Sequence, residues 1–357
     1  MSNQYRADCR PVLIGSLPQR DHREAVDLIF TYTPEIPLWP QLPCYKNEGM
    51  INQFLPGMPG VVEKDGKVFV DTSSPEFEAE FLAFYEEYLA VSEGLAELDG
   101  SRFALSDNEA AGFGLFLERA EREKDHLVGL KGQVSGPITF CMGVVDQDGR
   151  ALFYDEQVRD AAIKLLSLKA RYQAKKMAAI AERPLVFFDE PGLAGFGSSA
   201  FITVTPEDIN TCFAEVFEAV RAEGGLCGVH VCANTEWSVI FDSGVDIVSY
   251  DAYSYFDKLM LFADGLVSFI DRGGILATGI VPTDPEFIEA EDCDGLVEKW
   301  FEQLDQLERL GLDRERIFAQ TLITPSCGTG TASPEQALRV LELTRDVSAA
   351  IRERFGK

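Results

Sequence analysis

The stretch Thr205–Ala233, TPEDINTCFAEVFEAVRAEGGLCGVHVCA, decides the fold. It opens with Thr205-Pro206, a capping residue followed by proline at the first helical position, runs on as an amphipathic segment, and closes on Gly224-Gly225. The apolar run GLCGVHVCA (225–233) follows at once, without the alternation of a half-exposed strand. That pattern belongs to a strand buried on both faces of a parallel sheet. A helix feeding a buried strand is one repeat of a βα unit.

The unit recurs along the chain. Eight such runs are counted: PVLIGSL (11–17), EIPLWPQ (35–41), HLVGLKGQVS (126–135), PLVFFDE (184–190), GLCGVHVCA, VDIVSYD (245–251), GGILATGIV (273–281) and RIFAQTLIT (316–324). Amphipathic segments such as Glu156 to Ile180 lie between them. Strand and helix alternating eight times predicts an α/β fold, a (β/α)8 TIM barrel formed by residues 1–357 as one domain. Between the second and third strands, residues 42–106 read as an insertion. In it VVEKDGKVFV places Asp65-Gly66 between two short strands, a hairpin with a type I′ turn, and PEFEAEFLAFYEEYLAVSEG reads as a helix.

Composition narrows the function. The 357 residues hold 59 acidic against 32 basic side chains, a net charge of −27, which repels nucleic acid and anionic membrane alike. No run reaches the length of a membrane span, and the polar start MSNQYRADCR lacks the apolar stretch of a signal peptide. The expectation is a cytoplasmic protein with a small-molecule or protein partner. Its 8 scattered cysteines do not form a disulfide framework, so reduced thiols are expected.

In such a barrel the active site lies at the carboxyl ends of the strands. His230 and Cys232 end the fifth strand two residues apart and therefore point to one side. Taken alone, the pair equally describes a buried core histidine and a buried core cysteine. Cys327, in ITPSCGTGT after the eighth strand, adds a third soft donor; one His and two Cys make a zinc set with a fourth position left over. Asp251, ending the sixth strand, is the candidate oxygen ligand, its alternative role being the N-cap of a following helix. Asp189-Glu190 end the fourth strand and supply negative charge for a substrate ammonium, although neighbours on a strand face opposite ways and one alone reaches the site directly. His22, in the polar helix start QRDHREA, reads as a solvated side chain, and Cys227 as a core residue facing away from Cys232.

These residues carry a resemblance. IGSLP (14–18), KGQVSGPIT (131–139), FFDEPGL (187–193), HVC (230–232), VDIVSYD and SCG (326–328) together resemble the carboxy-terminal catalytic barrel of cobalamin-independent methionine synthase, in the superfamily that includes uroporphyrinogen decarboxylase and corrinoid-dependent methyltransferases. The resemblance implies Zn2+ held by His230, Cys232, Asp251 and Cys327, with Ser16 and the backbone after Gly15 at the substrate's carboxylate. The implied activity is methyl transfer to a thiol, homocysteine above all. Two departures stand out. The family's Asp-x-His-Ser after the seventh strand is here ATGIVPTDP, and its serine-arginine after the acidic ligand is here AYSYFDK. The missing histidine, the −27 charge set against a polyglutamate tail, and one barrel in place of two point to a methylcorrinoid donor, free or on a corrinoid carrier protein, ahead of methylfolate. The rival readings are a uroporphyrinogen decarboxylase-like enzyme, which needs arginines at the rim, and a non-catalytic barrel that binds zinc or docks a corrinoid protein.

Overall fold

The computed structural model describes residues 5–197, 201 and 203–356. Its strands are β1 (Arg10–Pro11), β2 (Val61–Lys64), β3 (Lys67–Val70), β4 (Leu130–Ser135), β5 (Pro184–Asp189), β6 (Leu226–Val231), β7 (Ile247–Tyr250), β8 (Ile275–Val281) and β9 (Thr321–Pro325). Seven of them form one curled parallel sheet in the order β1-β9-β8-β7-β6-β5-β4, flanked by helices. The helix that opens the deciding stretch spans Pro206–Arg221, with Thr205 and Asp208 forming a reciprocal capping box.

Three of the expected strands differ. Of the run 11–17 only Pro11 falls in a strand, β1, and Ser16 makes a single bridge to Gln41. The run 35–41 forms no ladder, only single bridges, Leu38 to Lys131 and Ser16 to Gln41. Pro37 and Pro40 remove two of its amide donors, so a regular ladder cannot form there. The segment nevertheless touches both ends of the sheet: the Lys131 amide donates to Pro37 O (2.9 Å) and the Leu17 amide to Gln41 O (3.0 Å). The run 316–324 splits. Asp313 accepts from the Arg316 amide and starts a helix over Arg314–Ala319, and only Thr321–Pro325 is strand.

The expected hairpin is present as β2–β3, with Asp65 and Gly66 both at positive φ (51° and 75°), as a type I′ turn requires. The helix after it spans Phe77–Ser92.

Alternation along the strands sorts the core into two layers. Leu185, Phe187, Ile247, Ala277 and Leu322 cluster inside the curl, whereas Val186, Phe188, Val229, Val248 and Ile323 pack outward with the helices. The inward phase of β5, β6 and β7 therefore includes Asp189, His230 and Ser249, all at or near the carboxyl ends. Among the described residues no helix is long and apolar enough to cross a membrane.

Candidate metal centre

His230, Cys232 and Cys327 come together, each offering a ligand atom within 4.8 Å of the others. β6 aims the first two, and the turn after β9 brings in the third. A Cβ at Gly328 would meet Ser16 Oγ at 2.2 Å, so a larger residue at that turn would turn the Ser16 hydroxyl away. The imidazole is buried; its Nδ1 lies 2.9 Å from Ser249 Oγ, and its Nε2 makes no hydrogen bond among the described residues.

The donor set fits a zinc ion. Two sulfurs bound tetrahedrally at about 2.3 Å stand about 3.8 Å apart, within reach of the observed grouping, and an unpartnered buried imidazole nitrogen completes the trio. The thiols are unequal. Cys327 donating to it lowers the Cys232 thiol, while Cys232 beside it and burial raise Cys327.

The other expected site residues divide. Asp251 stands outside the trio: its Oδ1 accepts from the Ser254 amide at 2.8 Å, capping the helix Ala252–Leu259. Burial raises its carboxyl, with the helix-cap bonds opposing. Glu190 faces away. Its oxygens accept from the amides of Ile138 (2.9 Å) and Thr139 (2.7 Å) and from Thr139 Oγ1 (2.7 Å), closing the start of the helix Pro137–Gly143. Burial pushes this carboxyl up to about 7 against those bonds. Asp189 faces the site, its Oδ1 buried with no hydrogen-bond partner among the described residues. Burial raises its carboxyl, opposed by His230 and Lys131.

Asp189 and the trio face a cavity of about 290 Å3 lined also by Ser16 and Gly328, with apolar walls from Ile14 and Pro191. Pro43, Glu48 and Met50, from the inserted segment, close one side. Ser16 Oγ accepts from the Gly330 amide at 3.2 Å, which locks the first strand's turn to the Cys327 loop. His22 is not a free solvated side chain. Its Nε2 lies 2.6 Å from Glu48 Oε1 and its ring stacks on Tyr45 at 5.4 Å, so it braces a cavity-lining residue. Cys227 does face outward, its thiol donating to Phe217 O at 3.4 Å.

The sequence reading passed over Lys131 and Ser249. Lys131 is fully buried, donates to Ile14 O at 2.6 Å and sits 4.5 Å from the Phe187 ring centre; burial lowers its ammonium to about 8. A signal existed: Lys131, Gln133 and Ser135 are polar at every second position of an otherwise apolar strand, as Ser249 and Asp251 are of theirs.

No protein-family model and no curated protein matches the sequence. Among solved structures the chain is similar to a methyltransferase from Methanosarcina mazei, with 14% identity, a TM-score of 0.52, and coverage of 97% of this chain and 95% of that one. The likeness is one of fold. A tandem GH20 catalytic module of the pneumococcal exo-beta-D-N-acetylglucosaminidase StrH aligns at 11% identity and a TM-score of 0.45, over 97% of this chain and 86% of that one, and carries no argument.

Proposed function

We propose that this chain is a zinc-dependent methyltransferase of the cytoplasm that moves a methyl group to a small-molecule thiol, homocysteine being the favoured acceptor. The observation that carries the reading is the trio His230, Cys232 and Cys327 at the floor of the cavity. Three protein ligands leave one coordination position for substrate, as in catalytic zinc sites. Asp251 lies outside the grouped trio and caps a helix with Oδ1, which supports a shell with a position left for substrate and so a catalytic over a docking role. We read the curled sheet with the 35–41 segment as a complete (β/α)8 barrel, and the fold shared with the Methanosarcina mazei methyltransferase agrees with methyl transfer.

Zinc bound here supplies the Lewis acidity under which a coordinated thiol exists as thiolate near neutral pH. The chain's own residues do the rest. Asp189 Oδ1 receives the acceptor's ammonium, and Ser16 with the neighbouring backbone receives its carboxylate. The cavity walls hold acceptor and donor in line, so that the sulfur's electron pair forms the new S–C bond while the old methyl bond breaks and leaves its pair on the donor. A methylcorrinoid, free or on a carrier protein, fits better than methylfolate. No lysine or arginine among the described residues lines the cavity, and a net charge of −27 opposes a polyglutamate tail. The same absence of arginine disfavours decarboxylation of a polycarboxylate.

Metal analysis with a thiol titration tests the proposal. One zinc per chain is expected, lost in Cys232→Ser and Cys327→Ser, with homocysteine binding only to the loaded protein. Protein that neither holds nor accepts zinc ends this reading.

A further inference from the structure

We infer that Ser249 is the positioning residue of the metal centre: its hydroxyl accepts the Nδ1 proton of His230 and so presents the Nε2 lone pair to Cys232 and Cys327. The inference rests on the zinc reading above and deepens it.

β6 and β7 pair in register, with His230 opposite Ser249. Side chains facing each other on adjacent parallel strands share one face, so position 249 is the place on β7 from which a side chain meets this imidazole. Ser249 is fully buried, and Oγ to Nδ1 is 2.9 Å. Serine is a poor strand former compared with the valine and tyrosine that flank it in IVSY, and a buried hydroxyl is costly without a partner. The imidazole is that partner. With the Nδ1 proton given to Ser249 Oγ, a neutral ring leaves Nε2 as a bare acceptor for a metal.

The choice of a hydroxyl has a chemical consequence. Metal-bound histidines commonly donate their second nitrogen to a carboxylate, which fixes the ring and makes it more basic. With zinc bound, Cys232 and Cys327 as thiolates would cancel the charge of the divalent ion, and a substrate thiolate would add a third negative sulfur. A neutral partner orients the ring without adding charge, and so leaves the metal receptive to that third sulfur.

The test compares wild type, Ser249→Ala and Ser249→Thr by chelator competition for zinc, alongside thermal melting of the metal-free proteins. Ser249→Ala should lose about 10- to 100-fold in zinc affinity, beyond any drop in metal-free melting, and Ser249→Thr, which keeps the hydroxyl, should recover most of it. A serine that merely filled space would shift melting and leave affinity alone; Ser249→Ala within about threefold of wild type overturns the inference. With three histidines in the chain, nitrogen-15 imidazole spectra give a second readout. A slowly exchanging Nδ1 proton on His230 should appear in wild type and vanish in Ser249→Ala. If wild type takes no zinc, the metal reading falls by itself, and the Nδ1 proton in metal-free protein still decides the Ser249 contact: equal exchange in both proteins refutes it.

Discussion

Replacing Asp189 by asparagine separates recognition of the acceptor from binding of the metal. Oδ1 of Asp189 is buried, faces the cavity and has no hydrogen-bond partner among the described residues, so an arriving ammonium meets an unsatisfied acceptor. A hydrogen bond to a charged group contributes about 1.5–3 kcal/mol, and the amide keeps an oxygen that still accepts a weaker, neutral bond. The net loss for homocysteine is therefore about 1–3 kcal/mol, a Kd roughly 5- to 150-fold higher. The comparison ligand is 4-sulfanylbutanoate, which has the same thiol, chain and carboxylate without the amine. It should bind the variant as well as the wild type or better, because the carboxylate–carboxylate repulsion disappears. Calorimetry on zinc-loaded protein, with metal content measured on the same samples, reads both affinities. Zinc content should hold, since Asp189 is not among the three grouped donors and its charge opposes the Cys232 anion. Equal weakening of both thiols, or unaltered homocysteine binding, refutes the assignment of Asp189 to the ammonium.

Glu190→Ala should act on folding instead: it strands the Ile138 and Thr139 amides, while Thr139 Oγ1 keeps its bond from the Gly192 amide, and at about 1–3 kcal/mol per buried orphan the urea midpoint should correspond to a loss of about 2–6 kcal/mol, while Asp189→Ala stays near wild type. Lys169, buried with no hydrogen-bond partner among the described residues, has its ammonium lowered to about 8 by burial, with Glu109 opposing. Since the folded value lies below the unfolded one near 10.4, the folded state holds fewer protons between the two, and wild-type stability should rise as pH climbs from about 8 to about 10.4. Lys169→Met should flatten that slope and stabilise the protein at pH 7 by up to about 3 kcal/mol; a slope unchanged in the variant assigns it elsewhere. Zinc-loaded protein with homocysteine should turn over methylcobalamin and not methyltetrahydrofolate, followed by methionine formation; turnover with folate alone reverses the donor assignment.

What could be read from the sequence depended on whether the signal was local. The βα alternation is local, and so is the two-residue spacing of His230 and Cys232 on a strand; seven of the eight expected strands form one parallel sheet, and the pair lies together. Cys327 lies some hundred residues away, yet a fold that gathers strand ends at one rim brings it in. The failures are equally physical. Apolarity alone made 316–324 one strand, but Asp313 captures an amide and turns its first half into helix. Asp251 and Asp189 look alike as acids at strand ends, and what separates them is the backbone beyond. After β7 the chain turns at once into a helix whose Ser254 amide claims the Asp251 carboxylate, whereas after β5 the neighbour Glu190 takes the nearby helix amides and leaves Asp189 Oδ1 free. The role of a strand-end carboxylate in this fold is thus set by whether a helix start lies within reach of it. That same rule explains why Asp251 Oδ1 is spent on the Ser254 amide while Asp189 Oδ1 stays available to a ligand entering the cavity.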